Sequence, residues 1–270
     1  MAVGGDNRGT CACPVEYRTK PEPRRAPAAG ADGLATVLLI ALLAAMVLAG
    51  RAPYSREDWL LENALIPPVL AVLAALRFGR ARVRLSTTAW LALFLFLLLH
   101  EVGSHYTYSF VPYRQWLQSL GLPLALVGRN YYDRMVHFAY GLLVAQPVAE
   151  VIAARTGMAG RSLLATTVAW MACGSMLYEL IEWGAAMAFG GDLGVAYLGT
   201  QGDPWDAQRD MALALSGSLL WACIPGSGKP PLAQVRATVR ASNEVGYPPN
   251  IGRATNERGD HHEQLQNPIH

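Results

Sequence analysis

Arg77-Phe78-Gly79-Arg80-Ala81-Arg82-Val83-Arg84, then Leu85, then Ser86-Thr87-Thr88-Ala89-Trp90-Leu91-Ala92-Leu93-Phe94-Leu95-Phe96-Leu97-Leu98-Leu99-His100-Glu101, is the stretch that decides the fold. Four arginines lead into an uncharged apolar run, and the run ends on a histidine beside a glutamate. In hydrocarbon every backbone polar group must be satisfied within the protein, so such a run reads as a membrane helix. Its two ends differ in kind: one is basic and the other carries ionisable groups of mixed sign.

The same pattern recurs along the chain. Apolar stretches at Asp32–Gly50, Glu57–Arg77, Ser86–His100, Tyr131–Ala154, Ser162–Phe189 and Pro204–Ile224 each approach the roughly 20 residues that a bilayer crossing needs. Composition agrees: 52% of residues are hydrophobic and 16% charged, against about 25% charged in soluble domains. The expected fold is all-α, a polytopic transmembrane bundle of six helices spanning residues 32–225. Residues 1–31 and 226–270 are polar and rich in Gly and Pro, and are expected to be disordered cytoplasmic tails. The first is too polar for a signal peptide. Cys173 and Cys223 fall inside spans, where they are expected to pack as small apolar residues.

Orientation follows from the basic residues. With a cytoplasmic N-terminus, 16 of the 22 Arg and Lys lie on inner segments, and the outer segments hold only Arg51, Arg56, Arg114, Arg129, Arg134 and Arg209. Positive charge is retained on the cytoplasmic side, so both termini are placed there, in the inner (plasma) membrane. The ionisable ends then face the exoplasm. They are rich in carboxylates, which favours cations, metals or amines as partners and gives no footing to nucleic acid.

Acids and histidines from several spans collect at that one depth, and intramembrane charge calls for a functional account. Ser55 with Asp58 three residues on reads as a helix cap, but Glu62 lies a further turn along, about 6 Å deeper. Pro67 and Pro68 interrupt that helix and are expected to free the carbonyls of Asn63 and Ala64. His100-Glu101-Val102-Gly103-Ser104-His105 resembles a zinc-protease motif but spaces its histidines five apart, about 140° around a helix. Gly103 is a candidate helix end. Asp133 and His137, four apart, share a face, with Asn130 as the expected cap. Glu179 and Glu182 are three apart in an apolar helix, so they need a shared proton, an arginine or a metal ion. Asp203 before Pro204 reads as an N-cap; Asp206 and Asp210 point the same way, with Arg209 as counter-charge. The loop Glu101–Asn130, with its run of aromatic residues, is an interfacial belt or a lid over the cluster.

Taken together, Arg56-Glu57-Asp58-Trp59 through Glu62-Asn63, His100-Glu101-Val102-Gly103, Tyr132-Asp133-Arg134-Met135-Val136-His137-Phe138, Tyr178-Glu179-Leu180-Ile181-Glu182-Trp183 and Asp203-Pro204-Trp205-Asp206-Ala207-Gln208-Arg209-Asp210-Met211 resemble the YjdF family of bacterial inner-membrane proteins. The resemblance covers about residues 32 to 225. It implies the membrane class and supplies no biochemical activity. The Asp-Arg-x-x-His and Glu-x-x-Glu pattern is also distantly similar to VanZ-like membrane proteins, in which the second acid is glutamine and the last motif differs.

Three functions remain open on these residues. The first is an enzyme acting on a lipid or cell-envelope substrate. There His100, His137, Glu179, Glu182, Asp206 and Asp210 would hold a divalent metal (zinc, manganese or iron) and Glu101, Asp133 and Glu182 would serve catalysis. The second is a cation- or proton-coupled transporter, against which stand the nearly apolar inner halves, with only Glu150 near that end. The third is a non-catalytic envelope protein whose charges tie the helices together. Topology is the first thing to measure: reporter fusions are expected to place Gly79 and Gly157 in the cytoplasm and Gln118 and Gln201 outside. A cytoplasmic signal at Gln118 would reverse the orientation.

Overall fold

The computed structural model describes residues 29–78, 83–121, 128–191, 194 and 199–229, and among these every regular element is helical. In chain order they are α1 (Ala29–Ala49), α2 (Arg56–Glu62), a 3-10 turn (Asn63–Leu65), α3 (Ile66–Phe78), α4 (Thr87–His105) and α5 (Tyr113–Ser119). There follow α6 (Tyr132–Ala139), a π-helical turn (Tyr140–Val144), α7 (Ala145–Thr156), α8 (Gly160–Phe189) and α9 (Asp206–Cys223). Of the tails expected at 1–31 and 226–270, all but residues 29–31 and 226–229 lie outside the described residues, as do Arg80 and Arg82.

Four helical stretches are long and apolar enough to cross a membrane: Arg56–Arg77, Thr87–His105, Tyr132–Thr156 and Gly160–Phe189. Gly33–Ala49 is a shorter apolar helix. The α9 helix opens on Asp206, Arg209 and Asp210, which lowers its hydropathy. Polarity is inverted relative to a water-soluble domain. Val37, Ile40, Val47, Trp170, Leu180 and Met187 lie on the outer surface, while Asp58, Glu62, His100, Glu101, Glu150, Glu179 and Asp210 are buried. Such an exterior suits lipid and would be an aggregation surface in water. Cys173 and Cys223 are likewise on the exterior rather than packed inside.

Local chemistry explains the breaks. Ser55 accepts a hydrogen bond from the Asp58 amide at 3.2 Å, the expected cap of α2. The Pro67–Pro68 interruption is absorbed by the 3-10 turn, in which the Ile66 amide donates to the Asn63 carbonyl, so that carbonyl is not free. Pro147 cannot donate to the carbonyl one turn back, and the helix before it widens into the π turn. Gly103 does not end α4, which runs on to His105. Asn130 is not the cap of α6, whose N-cap is Tyr131; its side chain accepts from the Tyr132 amide at 3.0 Å and shapes the turn before the helix.

At the basic end, Glu150 caps α4 from another helix: it accepts from the Ser86 amide at 2.7 Å and the Ser86 hydroxyl at 2.6 Å. Gln146 donates to the same carboxylate and accepts from the Trp221 indole, so α4, α7 and α9 are joined there. Deeper in the bundle, α9 crosses the α6–π segment backbone to backbone. A Cβ on Gly141 would stand 1.9 Å from the Ala214 carbonyl oxygen, and one on Gly217 would stand 2.2 Å from the Phe138 carbonyl oxygen. Small residues permit such close crossings in membranes, where dispersion replaces the hydrophobic effect as the driving force.

This crossing is testable. Gly141→Ala and Gly217→Ala are each expected to destabilise the protein by roughly 1–3 kcal/mol, as overpacking does, seen as an earlier thermal transition in detergent. Gly184→Ala, whose added Cβ meets nothing within 4 Å, is expected to leave that transition unchanged or raise it.

Candidate functional site

The α6 helix brings Asp133 and His137 onto one face, with His137 Nε2 at 3.5 Å from Asp133 Oδ1. The other ring nitrogen, Nδ1, lies 3.7 Å from Glu179 Oε1 on α8. Because the glycine crossing draws α9 against α6, Asp210 joins them: Asp133, His137 and Asp210 each bring a ligand atom within 4.8 Å of the others. Asp210 is 2% exposed. Neither Asp210 Oδ1 nor Glu179 Oε1 accepts a hydrogen bond from a described residue. Buried carboxylate oxygens without donors are costly, so they call for a shared proton or a cation.

Beside this set lies a cavity of about 180 Å³. Glu62, His100, Tyr108, Asp133, His137 and Tyr178 line one part of it; Leu65, Ile66, Val69, Phe96, Leu97 and Val136 form apolar walls, with Tyr140, Gly174 and Ser175 beyond. The Tyr178 hydroxyl donates to Glu62 Oε2 at 3.3 Å, joining α2 to α8. The Tyr178 ring stands edge-on to His137.

Tyr108 reaches the cavity by a strained route. Thr107 and Tyr108 have φ of 50° and 51°, which non-glycine residues rarely adopt and which costs on the order of 1–3 kcal/mol each. The turn folds the Tyr108 ring against Gly103, where a Cβ would stand 2.4 Å from the ring. Its hydroxyl is 2.6 Å from His100 Nδ1. Burial first, and then the carboxylates of Glu62 and Asp133, push the Tyr108 hydroxyl well above its ordinary range, so it stays protonated and is able to donate to Nδ1. With Tyr108 as donor, a neutral His100 carries its own proton on Nε2. The Glu62 carbonyl lies near this imidazole, but no described residue meets Nε2 in hydrogen-bonding geometry.

The remaining acids behave differently. Asp206 is clamped by Arg129, by a short contact, and by Arg134 Nη2 at 3.2 Å. Arg134 also pairs with Asp203, which Arg209 Nη1 meets at 2.5 Å. Desolvation works to raise the Asp203 carboxyl, yet the Trp205 amide and the two arginines outweigh it and hold it below the usual carboxylate range. Asp203 braces the turn before α9 and does not cap it, since the helix starts at Asp206 with Trp205 as its N-cap.

Of the expected site residues, His137, Asp133, Glu179 and Asp210 are brought together. Glu182 stands one turn along α8, near Glu179, Glu62 and Tyr178. His100 faces the cavity from its far wall, and Asp206 is committed to arginines. Glu101 is buried but does not line the cavity, and no described residue bonds its carboxylate. His105 turns away, with Nδ1 2.8 Å from the Ala49 carbonyl. Tyr108, Tyr178, Ser175 and the clamp residue Arg129 were not among the expected site residues. Only the aromatic richness of the Glu101–Asn130 loop pointed toward one of them.

Residues 34–226 match the family described as "Predicted membrane protein (DUF2238)". The chain is 36% identical over 176 residues to the inner membrane protein YjdF of Escherichia coli (strain K12), covering 64% of this chain and 80% of that protein. No solved structure matches. The chain therefore belongs to the DUF2238 family of membrane proteins and is a multi-pass protein of the inner membrane.

Proposed function

We propose that this protein crosses the inner membrane six times with both termini in the cytoplasm, and that it is a metal-dependent enzyme acting on a lipid or cell-envelope substrate at its exoplasmic face. The observation that carries the reading is the convergence of Asp133, His137 and Asp210, with a buried carboxylate oxygen left without a hydrogen-bond donor among the described residues. Ligand bonds of about 2 Å place donor atoms within about 4 Å of one another, so small side-chain rotations from 4.8 Å complete a coordination set. Mixed imidazole and carboxylate donors suit zinc, manganese or iron.

Within this reading Glu179 orients the His137 ring from its second nitrogen, as outer carboxylates do for metal-bound histidines. Glu182, beside Tyr178 and Glu62, is the proton donor or acceptor toward a substrate. Bound metal would supply Lewis acidity to a substrate oxygen or water. The transport reading loses ground because Glu150, the acid toward the basic end, is engaged in capping α4. Support for six crossings comes from the arginine asymmetry and from the packing of α1 on α4 and of α9 on α6 and α8.

Elemental analysis of protein purified without chelator tests this. About one divalent ion per chain is expected, lost in His137→Ala and in Asp210→Asn. Asp206→Asn is expected to keep the ion yet melt earlier, because it leaves Arg129 and Arg134 short of a buried partner. Metal-free wild type, with every one of these variants less stable, would instead establish the cluster as a scaffold.

A further inference from the structure

The cavity is lined by polar side chains toward one end of the helices and by apolar ones further along them. From Glu62 to Val69 the α2–α3 wall descends roughly 10 Å at 1.5 Å per residue, passing from a carboxylate to aliphatic side chains. The same order holds on α4, from His100 down to Phe96, so the polar groups of both helices share one depth. Two buried residues that line the cavity each carry an unmatched polar atom: His100, 8% exposed, at Nε2, and Ser175, 2% exposed, at its hydroxyl; no described residue bonds either one. A buried donor without an acceptor is costly, and a ligand that offers acceptor oxygens to these two residues removes that cost.

Val69 lines the cavity yet is 37% exposed, so on α3 the cavity wall is also part of the surface that faces bilayer chains. A volume of about 180 Å³ exceeds the roughly 150 Å³ of an engineered apolar cavity that takes up benzene. It holds a chain segment and part of a headgroup, while the rest of the molecule stays in the membrane.

We infer that this cavity is the binding site of an acyl-chain phospholipid that enters sideways past α3, with one chain against Ile66, Val69, Phe96 and Leu97 and its ester or phosphate oxygens at His100 and Ser175. The inference rests on the enzyme reading above and names its substrate class.

The test uses the full chain in nanodiscs containing phosphatidylglycerol with a diazirine on one acyl chain. After illumination, adducts are mapped by peptide fragmentation. Labelling of the buried residues Ile66 and Leu97 is expected to approach that of the outward-facing Leu95 and Leu180, and to exceed by about tenfold that of the buried residue Leu163 away from the cavity. Ser175→Leu fills the cavity and is expected to remove the labels on Ile66 and Leu97 while leaving those on Leu95 and Leu180. Val69→Trp, at a partly exposed wall that tolerates bulk, is expected to do the same by closing the side. Labels on Ile66 and Leu97 no stronger than on Leu163, or unchanged in a folded variant of either kind, would overturn the inference. Labelling in a protein that carries no metal would sink the metal reading and leave the lipid site standing; metal without labelling would do the reverse.

Discussion

The crossing of Gly141 and Gly217 is the constraint from which the site follows. At that point α9 and the α6–π segment touch through backbone atoms, with no room for a Cβ on either glycine. His137 lies four residues before Gly141, and Asp210 lies seven residues, two turns, before Gly217. Bringing the two glycines together therefore brings those side chains together one to two turns away. The widened turn at Tyr140–Val144 accommodates the hydrogen bond that Pro147 cannot make. A bundle held by larger residues would keep α9 some ångströms away and Asp210 out of reach of His137.

Two populations of acids result, and they answer to different physics. Asp203 and Asp206 are matched by Arg129, Arg134 and Arg209, so their charge is compensated locally and they brace the entry to α9. Glu62, Asp133, Glu179, Glu182 and Asp210 gather around His137 and Tyr178 with few donors among the described residues. A scaffold needs only the first kind, because broken or unmatched buried charge is a liability to stability. Retaining the second kind beside a cavity is the pattern expected where charge serves chemistry.

Much of this was legible in the sequence. Apolar length gave the membrane class; the four-residue spacing gave Asp133 with His137; Ser55 announced its own cap. What escaped is what depends on neighbours. A helix-face argument says which residues travel together but not which helix they meet, so Asp206 and Asp210 read as equivalent although arginines claim one and His137 the other. Glu101 and His100 both read as site residues, yet adjacent positions on a helix face different ways and only His100 reaches the cavity. Gly103 read as a stop signal, whereas its missing side chain makes room for Tyr108. The positive φ at Thr107 and Tyr108 had no local mark, since neither residue type favours that region.

That strained pair explains how a loop residue can serve a site as firmly as a helical one. The turn is paid for by packing: Tyr108 is 7% exposed, lies in a cluster with Val111, Tyr132 and Val136, and fills the space Gly103 leaves. Its hydroxyl then fixes one nitrogen of His100, which determines what the other nitrogen offers to the cavity. At the opposite end of α4 a side chain from another helix acts in a comparable way, Glu150 holding the first turn through Ser86. The α4 helix is thus pinned at both ends, and His100 is presented from a rigid support rather than from a mobile loop. Rigid presentation is what an unpartnered donor requires, because a side chain free to turn would find water or a backbone carbonyl and lose its selectivity for a ligand oxygen.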